Sequence, residues 1–187
     1  YPTGSGNDFM ADVQERENSG IILLNPYLCH LPTVTVNGDT RFFLNGVGYG
    51  IDGYCCEEGD RQRAEESGSI NYTAIAIKGL MFRFKPRNAT VIVDGVVHNY
   101  KNVWLAPTMN GRFYGGGMMI APNQDRLRKD GLVSTVVMHC KSKVKTLAVF
   151  PSIFKGEHIR HKEMVEVTVG KEIEVIFDQP TSLQIDG

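Results

Sequence analysis

Three turn dipeptides, each set between strand-like segments, constrain this chain most. Asn37-Gly38 separates residues 31–36 from 41–47. Asp94-Gly95 separates 89–93 from 96–100, and Gly170-Lys171 separates 165–169 from 172–177. A type I′ hairpin turn needs φ > 0 at both central positions, which Asn-Gly and Asp-Gly tolerate well. In the third pair, Val165, Val167 and Val169 share one face, as do Ile173, Val175 and Phe177. That period of two is the mark of a half-buried strand. Each dipeptide therefore predicts an antiparallel hairpin.

Further strands are expected at 103–106, at 132–139, which is β-branched and apolar, and at 183–185. Helical spacing is clearest over 70–84. Ile70, Ala74, Ile77, Met81 and Phe84 recur at steps of four and three, and Pro86 ends the run. Ser142 is placed to cap a second helix reaching about residue 154, with Pro151 kinking or ending it. Residues 53–66 are charged and read as a short exposed helix. The predicted class is α+β and β-rich: an antiparallel β-sandwich or distorted barrel with two helices.

At 187 residues the chain can bury a full core without disulfides. A net charge of -1 argues against a dedicated nucleic-acid binder, which needs a basic surplus. No run of about 18 apolar residues occurs, and the first residues lack a signal-peptide pattern. The four cysteines contain no CxxC pair and read as reduced, mostly buried thiols. The 20 glycines exceed the average share of about 7% and concentrate where chemistry is plausible.

Four places are candidates. In the Gly4-Ser5-Gly6-Asn7-Asp8 stretch, small residues let backbone N–H groups approach phosphate oxygens, and Asp8 suits magnesium held through water; a structural turn is the alternative. Residues 110–117, ending in Gly115-Gly116-Gly117, mark a sheet corner or a ligand crossing. The 125–130 stretch holds two carboxylates that suit a hard cation, but Arg126, Arg128 and Lys129 favour a solvated loop. Asp186, at a strand end, suits a general base or a plain terminal turn. The basic cluster from His158 to Lys162 reads as a solvated loop able to meet anionic headgroups.

Taken in order, these segments resemble the bacterial diacylglycerol kinase-like lipid kinases. The similarity runs through Pro2 to Phe9, Phe43 to Asp52, Asn110 to Gly117 with Ala121-Pro122-Asn123, Asp130-Gly131-Leu132, Phe150 to His158, and Gln184 to Gly187. The resemblance implies a two-domain kinase with its active site in the cleft between domains. The family's ATP-binding G-G-D-G-T loop does not occur here. Residues 1–18 are then expected to be a remnant of the nucleotide-binding segment, and 19–187 the C-terminal β-sandwich domain.

The implied cofactors are ATP and Mg²⁺. Gly4, Ser5, Gly6, Asn7 and Asp8 are expected on the cofactor side, Asp8 in a magnesium–water network, and Asp186 as the base for the lipid hydroxyl. A structural magnesium is expected near Asp130, although Lys129 and Ser134 replace two flanking carboxylates of some members. The expected substrate is a diacylglycerol-like lipid at a membrane surface, with a cytoplasmic, peripheral location and an inactive isolated chain. A homodimer through an exposed sheet edge is a further expectation. The alternative is a noncatalytic lipid- or small-molecule-binding domain of the same fold.

Overall fold

The computed structural model describes residues 7–14, 21–65, 72–79 and 83–187. In chain order the elements are α1 (Asp8–Gln14), α2 (Asn25–Leu28), β1 (Thr33–Val36), β2 (Asp39–Phe42), β3 (Gly46–Tyr49), α3 (Ile51–Glu65), α4 (Tyr72–Lys78), β4 (Arg87–Val93), β5 (Val96–Leu105), β6 (Thr108–Met109), β7 (Val133–His139), α5 (Lys143–Val149), β8 (Val165–Gly170), β9 (Ile173–Phe177) and β10 (Leu183–Ile185). Two 3₁₀ segments, Phe150–Lys155 and Glu157–Arg160, follow α5.

Two of the three hairpins form as expected. Asn37 and Gly38 have φ of 52° and 89°, and Asp94 and Gly95 have 47° and 83°. These pairs join β1 to β2 and β4 to β5 in antiparallel register. The third does not form. β8 pairs with β7 along its whole length, while β9 pairs with β4. Alternation made both segments strands, but it carries no information about their partners. The link between them is held by Asp94: its Oδ1 accepts the Lys171 and Glu172 N–H groups, both at 2.9 Å, and its own N–H donates to Glu172 O. Gly170 lies so close to Val93 that a Cβ would collide with it. The sheet curls, and two residues suffice to step from the β7 side to the β4 side.

The larger sheet has eight strands in the order β10-β3-β6-β7-β5-β4-β9, with β8 on the other edge of β7. All named pairings are antiparallel. The fold is thus the expected β-rich, curled antiparallel architecture. Adjacent residues of β5 and β7 supply opposite faces of the sheet. Trp104, Val136 and Met138 pack with Ile51, Ile120, Ile153 and Met164 under the helices. Val103 and Val137 pack with Val91, Val93 and Tyr100 on the other face. Burial on both faces explains why β7 shows no polar–apolar alternation.

The helices differ from expectation in number and weight. The longest, α3, is expected from sequence only as a short exposed helix, yet its first two turns bury Ile51, Asp52 and Cys55. In the run expected at 70–84, α4 covers Tyr72–Lys78; Ile70 and Met81 lie outside the described residues. Ser142 does cap α5, accepting the Lys145 N–H at 3.4 Å. Pro151 then opens a 3₁₀ segment, where its missing N–H costs nothing. The four thiols are free, but they are not mostly buried as expected: Cys55 is buried, Cys56 and Cys140 are half-buried, and Cys29 is exposed.

Candidate functional site

The strand β10 delivers Asp186 to the turn that precedes β3. Ile185 pairs with Val47, so the next residue stands beside Gly46. Asp186 has a φ of 60°, a left-handed conformation that aspartate tolerates, and its N–H donates to Gly46 O. Its exposed carboxylate then meets three backbone donors. Leu44 N–H reaches Oδ2 at 2.6 Å; Asn45 and Gly46 N–H groups reach Oδ1 at 2.7 and 3.1 Å. A carboxylate offers about four lone-pair directions, so the open one lies on Oδ2.

The same turn is gripped from beneath by buried charge. Asp12, fully buried on α1, accepts Nε of Arg112 and Nε of Arg126, both at 2.6 Å. The Arg126 side chain is itself inaccessible. It donates onward to Leu44 O at 3.2 Å and Asn45 Oδ1 at 2.9 Å, and its guanidinium lies 4.7 Å from the Phe9 ring centroid. Asn110 Nδ2 donates to Leu44 O, and the Asn110 and Gly111 N–H groups donate to Asn45 O. Gly111 has to be glycine here, because a Cβ would collide with Arg126 Nη2. Two paired arginines satisfy the desolvated carboxylate, and the leftover donors of Arg126 fix the turn that holds Asp186.

Asp8, the first residue of α1, answers the triple glycine. Its Oδ2 accepts Gly116 N–H at 2.9 Å and its Oδ1 accepts Gly117 N–H at 2.6 Å. Gly115, Gly116 and Gly117 have φ of 60°, 84° and 98°. Successive left-handed residues aim their N–H groups at one anion, which here is Asp8 itself. Asn7 is exposed, and its carbonyl accepts the Ala11 N–H at the start of the helix. Gly4, Ser5 and Gly6 lie outside the described residues.

Asp130 stands apart from this cluster. Arg128 Nε and Nη2 bond its two oxygens at 2.7 and 3.0 Å, and Leu132 N–H donates to Oδ1. The guanidinium holds this carboxyl below its ordinary range. Among the described residues, no group of three or more His, Cys, Asp or Glu side chains is arranged to hold a metal ion. Two sequence readings change. The 125–130 stretch is not simply a solvated loop, since Arg126 is buried. His158 does not belong to an exposed basic patch: it is fully buried, with Nε2 at 2.9 Å from Ile120 O. Burial lowers its pKa to about 4.

Asp12 is not singled out from the sequence, although it follows Asp8 by four residues, on the same helix face. Asn45 and Arg112 lie inside resembling segments with no role given to them, and Arg126 reads as part of a solvated loop. Asp52 closes a resembling segment but is given no role from the sequence. It is buried at the start of α3, and its Oδ1 accepts the Tyr114 hydroxyl at 2.6 Å. Its Oδ2 has no hydrogen-bond partner among the described residues. Desolvation pushes its pKa up to about 7, against the lowering by the Tyr114 hydrogen bond. Gly48 leaves just enough room here; a Cβ would press on both Asp52 Oδ2 and Gln184 Nε2.

A curled antiparallel sheet whose last strand seats a carboxylate on the turn before β3 defines a sandwich-like class of domain. The family described as "YegS C-terminal NAD kinase beta sandwich-like domain" matches residues 45–187, and the chain belongs to it. Diacylglycerol kinases from two Mycobacterium tuberculosis strains, CDC 1551 / Oshkosh and ATCC 25618 / H37Rv, are each 32% identical over 139 residues. The match covers 74% of this chain and 43% of each relative, so the chain spans less than half their length. A crystal structure of a diacylglycerol kinase from Bacillus anthracis str. Sterne superposes with a TM-score of 0.56 at 16% identity, covering 100% of this chain and 58% of that one. A second structure from that organism gives 0.64 at 17% identity, covering 100% and 60%. At such identity the superpositions speak to the fold alone. No helix among the described residues is long and apolar enough to cross a membrane.

Proposed function

We propose that the full-length protein is an ATP-dependent lipid kinase acting on a diacylglycerol-like hydroxyl, and that this chain is its substrate-side domain. What supports this most is convergence. Asp8, Leu44 to Gly46, Asn110 to Gly117 and Asp186 come from four distant segments, yet one hydrogen-bonded cluster joins them. The family membership and the names of the Mycobacterium relatives point the same way.

In this reading Asp186 takes the proton of the lipid hydroxyl, accepting it on the open side of Oδ2. Its three backbone donors hold the carboxylate still, so the acceptor oxygen needs no reorientation. The chemistry otherwise rests on positioning the phosphates and neutralising their charge. The described residues do not fit a magnesium cage: Asp8 is committed to two glycines and Asp130 to Arg128. No step is therefore routed through a metal on this chain. Asp8 retains lone pairs for a water-mediated contact with ATP phosphates and their ion, and the enzyme works peripherally at the cytoplasmic membrane surface.

The test is direct phosphorylation of lipid alcohols. The full-length protein should transfer phosphate from ATP to diacylglycerol, and the purified 187-residue chain should not. No transfer by the full-length protein to diacylglycerol, a sphingoid base or another lipid alcohol would instead support the noncatalytic lipid-binding reading. One observation favours that second reading, namely that Asp186 already accepts three backbone bonds.

A further inference from the structure

Away from the Asp186 cluster, the start of β10 borders a cavity of about 200 Å³. It lies between α3, the segment leading into β4, and the turn before β10. Tyr54 and Phe84 wall it, with ring centroids 6.1 Å apart, and Pro180, Thr181 and Ser182 close the far side. Its remaining lining residues are Arg83, Lys85 and Arg87, and among the described residues no acidic side chain lines it. These three cations alternate with Phe84 and Pro86. The three cations are exposed, while Phe84 and Pro86 between them are half-buried.

The charges are unequally engaged. Arg83 interacts with the Tyr54 hydroxyl and with Glu58. Lys85 and Arg87 form no ion pair among the described residues. The hydroxyls beside them already donate elsewhere, Thr181 to Gln179 O and Ser182 to Glu57 Oε2. A guest here is met by cationic donors over an aromatic wall. That combination suits a tetrahedral phosphate oxyanion, which guanidinium groups bind in a forked geometry.

We propose that this cavity is a phosphate-binding site, taking either the headgroup phosphate of an anionic lipid or a free phosphate ester. It stands at the opposite end of β10 from Asp186, about 13 Å along the strand. It is therefore a separate site from the reacting hydroxyl. Its natural use in a membrane-surface enzyme rests on the lipid-kinase reading, but its binding does not.

Two probes separate the sources. The first is sedimentation of the 187-residue chain with vesicles of equal parts phosphatidylcholine and phosphatidylglycerol, against phosphatidylcholine alone. The second is titration with inorganic phosphate, followed through the backbone amide signals of Lys85 and Arg87. The double variant Lys85→Glu, Arg87→Glu should lose about tenfold or more of the binding, since each basic residue near an anionic surface contributes several-fold. Lys143→Glu with Lys145→Glu on α5 serves as the charge control and should bind as wild type. Vesicle binding identifies a headgroup site. Shifts with inorganic phosphate without vesicle binding identify a free-phosphate site. Wild-type binding by the Lys85/Arg87 variant, equal loss in the α5 control, or no binding of either probe would overturn the proposal. Thermal melting checks the fold, and Lys85→Gln replaces the double variant if that variant is unfolded. No turnover is measured, so a failed lipid-kinase reading leaves this result interpretable.

Discussion

Asp12 is a carboxylate with no access to water, held by two guanidinium groups. Losing Arg126 leaves Arg112 on Oδ1 but strands Oδ2 without its charged donor, at a cost of about 1–3 kcal/mol. Arg126→Met should therefore destabilise the domain by that order in urea titration, and it should also release the Leu44–Asn45 turn that Arg126 supports; a loss within experimental error would contradict the network. Asp52 makes a different prediction. Burial keeps it protonated to about pH 7, whereas in the unfolded chain it ionises near 3.8. Between those values the folded state binds more protons, so the stability present below pH 4 is lost as pH rises through about 7. Asp52→Asn should remove that loss, worth on the order of a few kcal/mol. His158 works in the opposite sense: its pKa falls from 6.5 to about 4, so its contribution is present above 6.5 and is lost as pH falls. With asparagine at 52, stability should rise from about pH 4 to 6.5, and urea titrations across that range check it. An unchanged profile would mean that Asp52 is not the group held neutral.

At the scale of elements, local chemistry and long-range pairing separate cleanly. The Asn37-Gly38 and Asp94-Gly95 turns were legible because two residues determine them. So was the Ser142 cap, whose donor, the Lys145 N–H, lies three residues away. The partners of β8 and β9 were not legible, because a strand's alternation is the same whichever edge it joins. The residue that settles the matter, Asp94, lies 77 and 78 positions from the N–H groups it receives. Asp94→Ala should thus cost more than an ordinary turn substitution, about 1–3 kcal/mol, by stranding those donors and placing alanine at positive φ. Urea titration reads this, with Asp39→Ala, in the exposed strand β2, as the comparison. Equal costs would show that Asp94 does not fasten the link.

For the whole molecule, the ordered motifs conveyed the class of fold and placed Asp186 and Asp8, but not the contacts that join them. Asp12 and Arg126 are 114 residues apart. Their types look ordinary in sequence: an aspartate within a short helix and an arginine within a charged loop. Only the folded chain shows that they carry the turn on which Asp186 rests. The central claim is that this turn presents Asp186 as the acceptor of the lipid hydroxyl proton. It is tested most directly by Asp186→Asn in the full-length protein, with ATP-dependent phosphorylation of diacylglycerol and nucleotide binding measured side by side. Turnover should fall by about 10²–10⁴-fold, with nucleotide binding and the melting temperature close to wild type. Near-normal turnover by a folded Asp186→Asn protein would contradict the account.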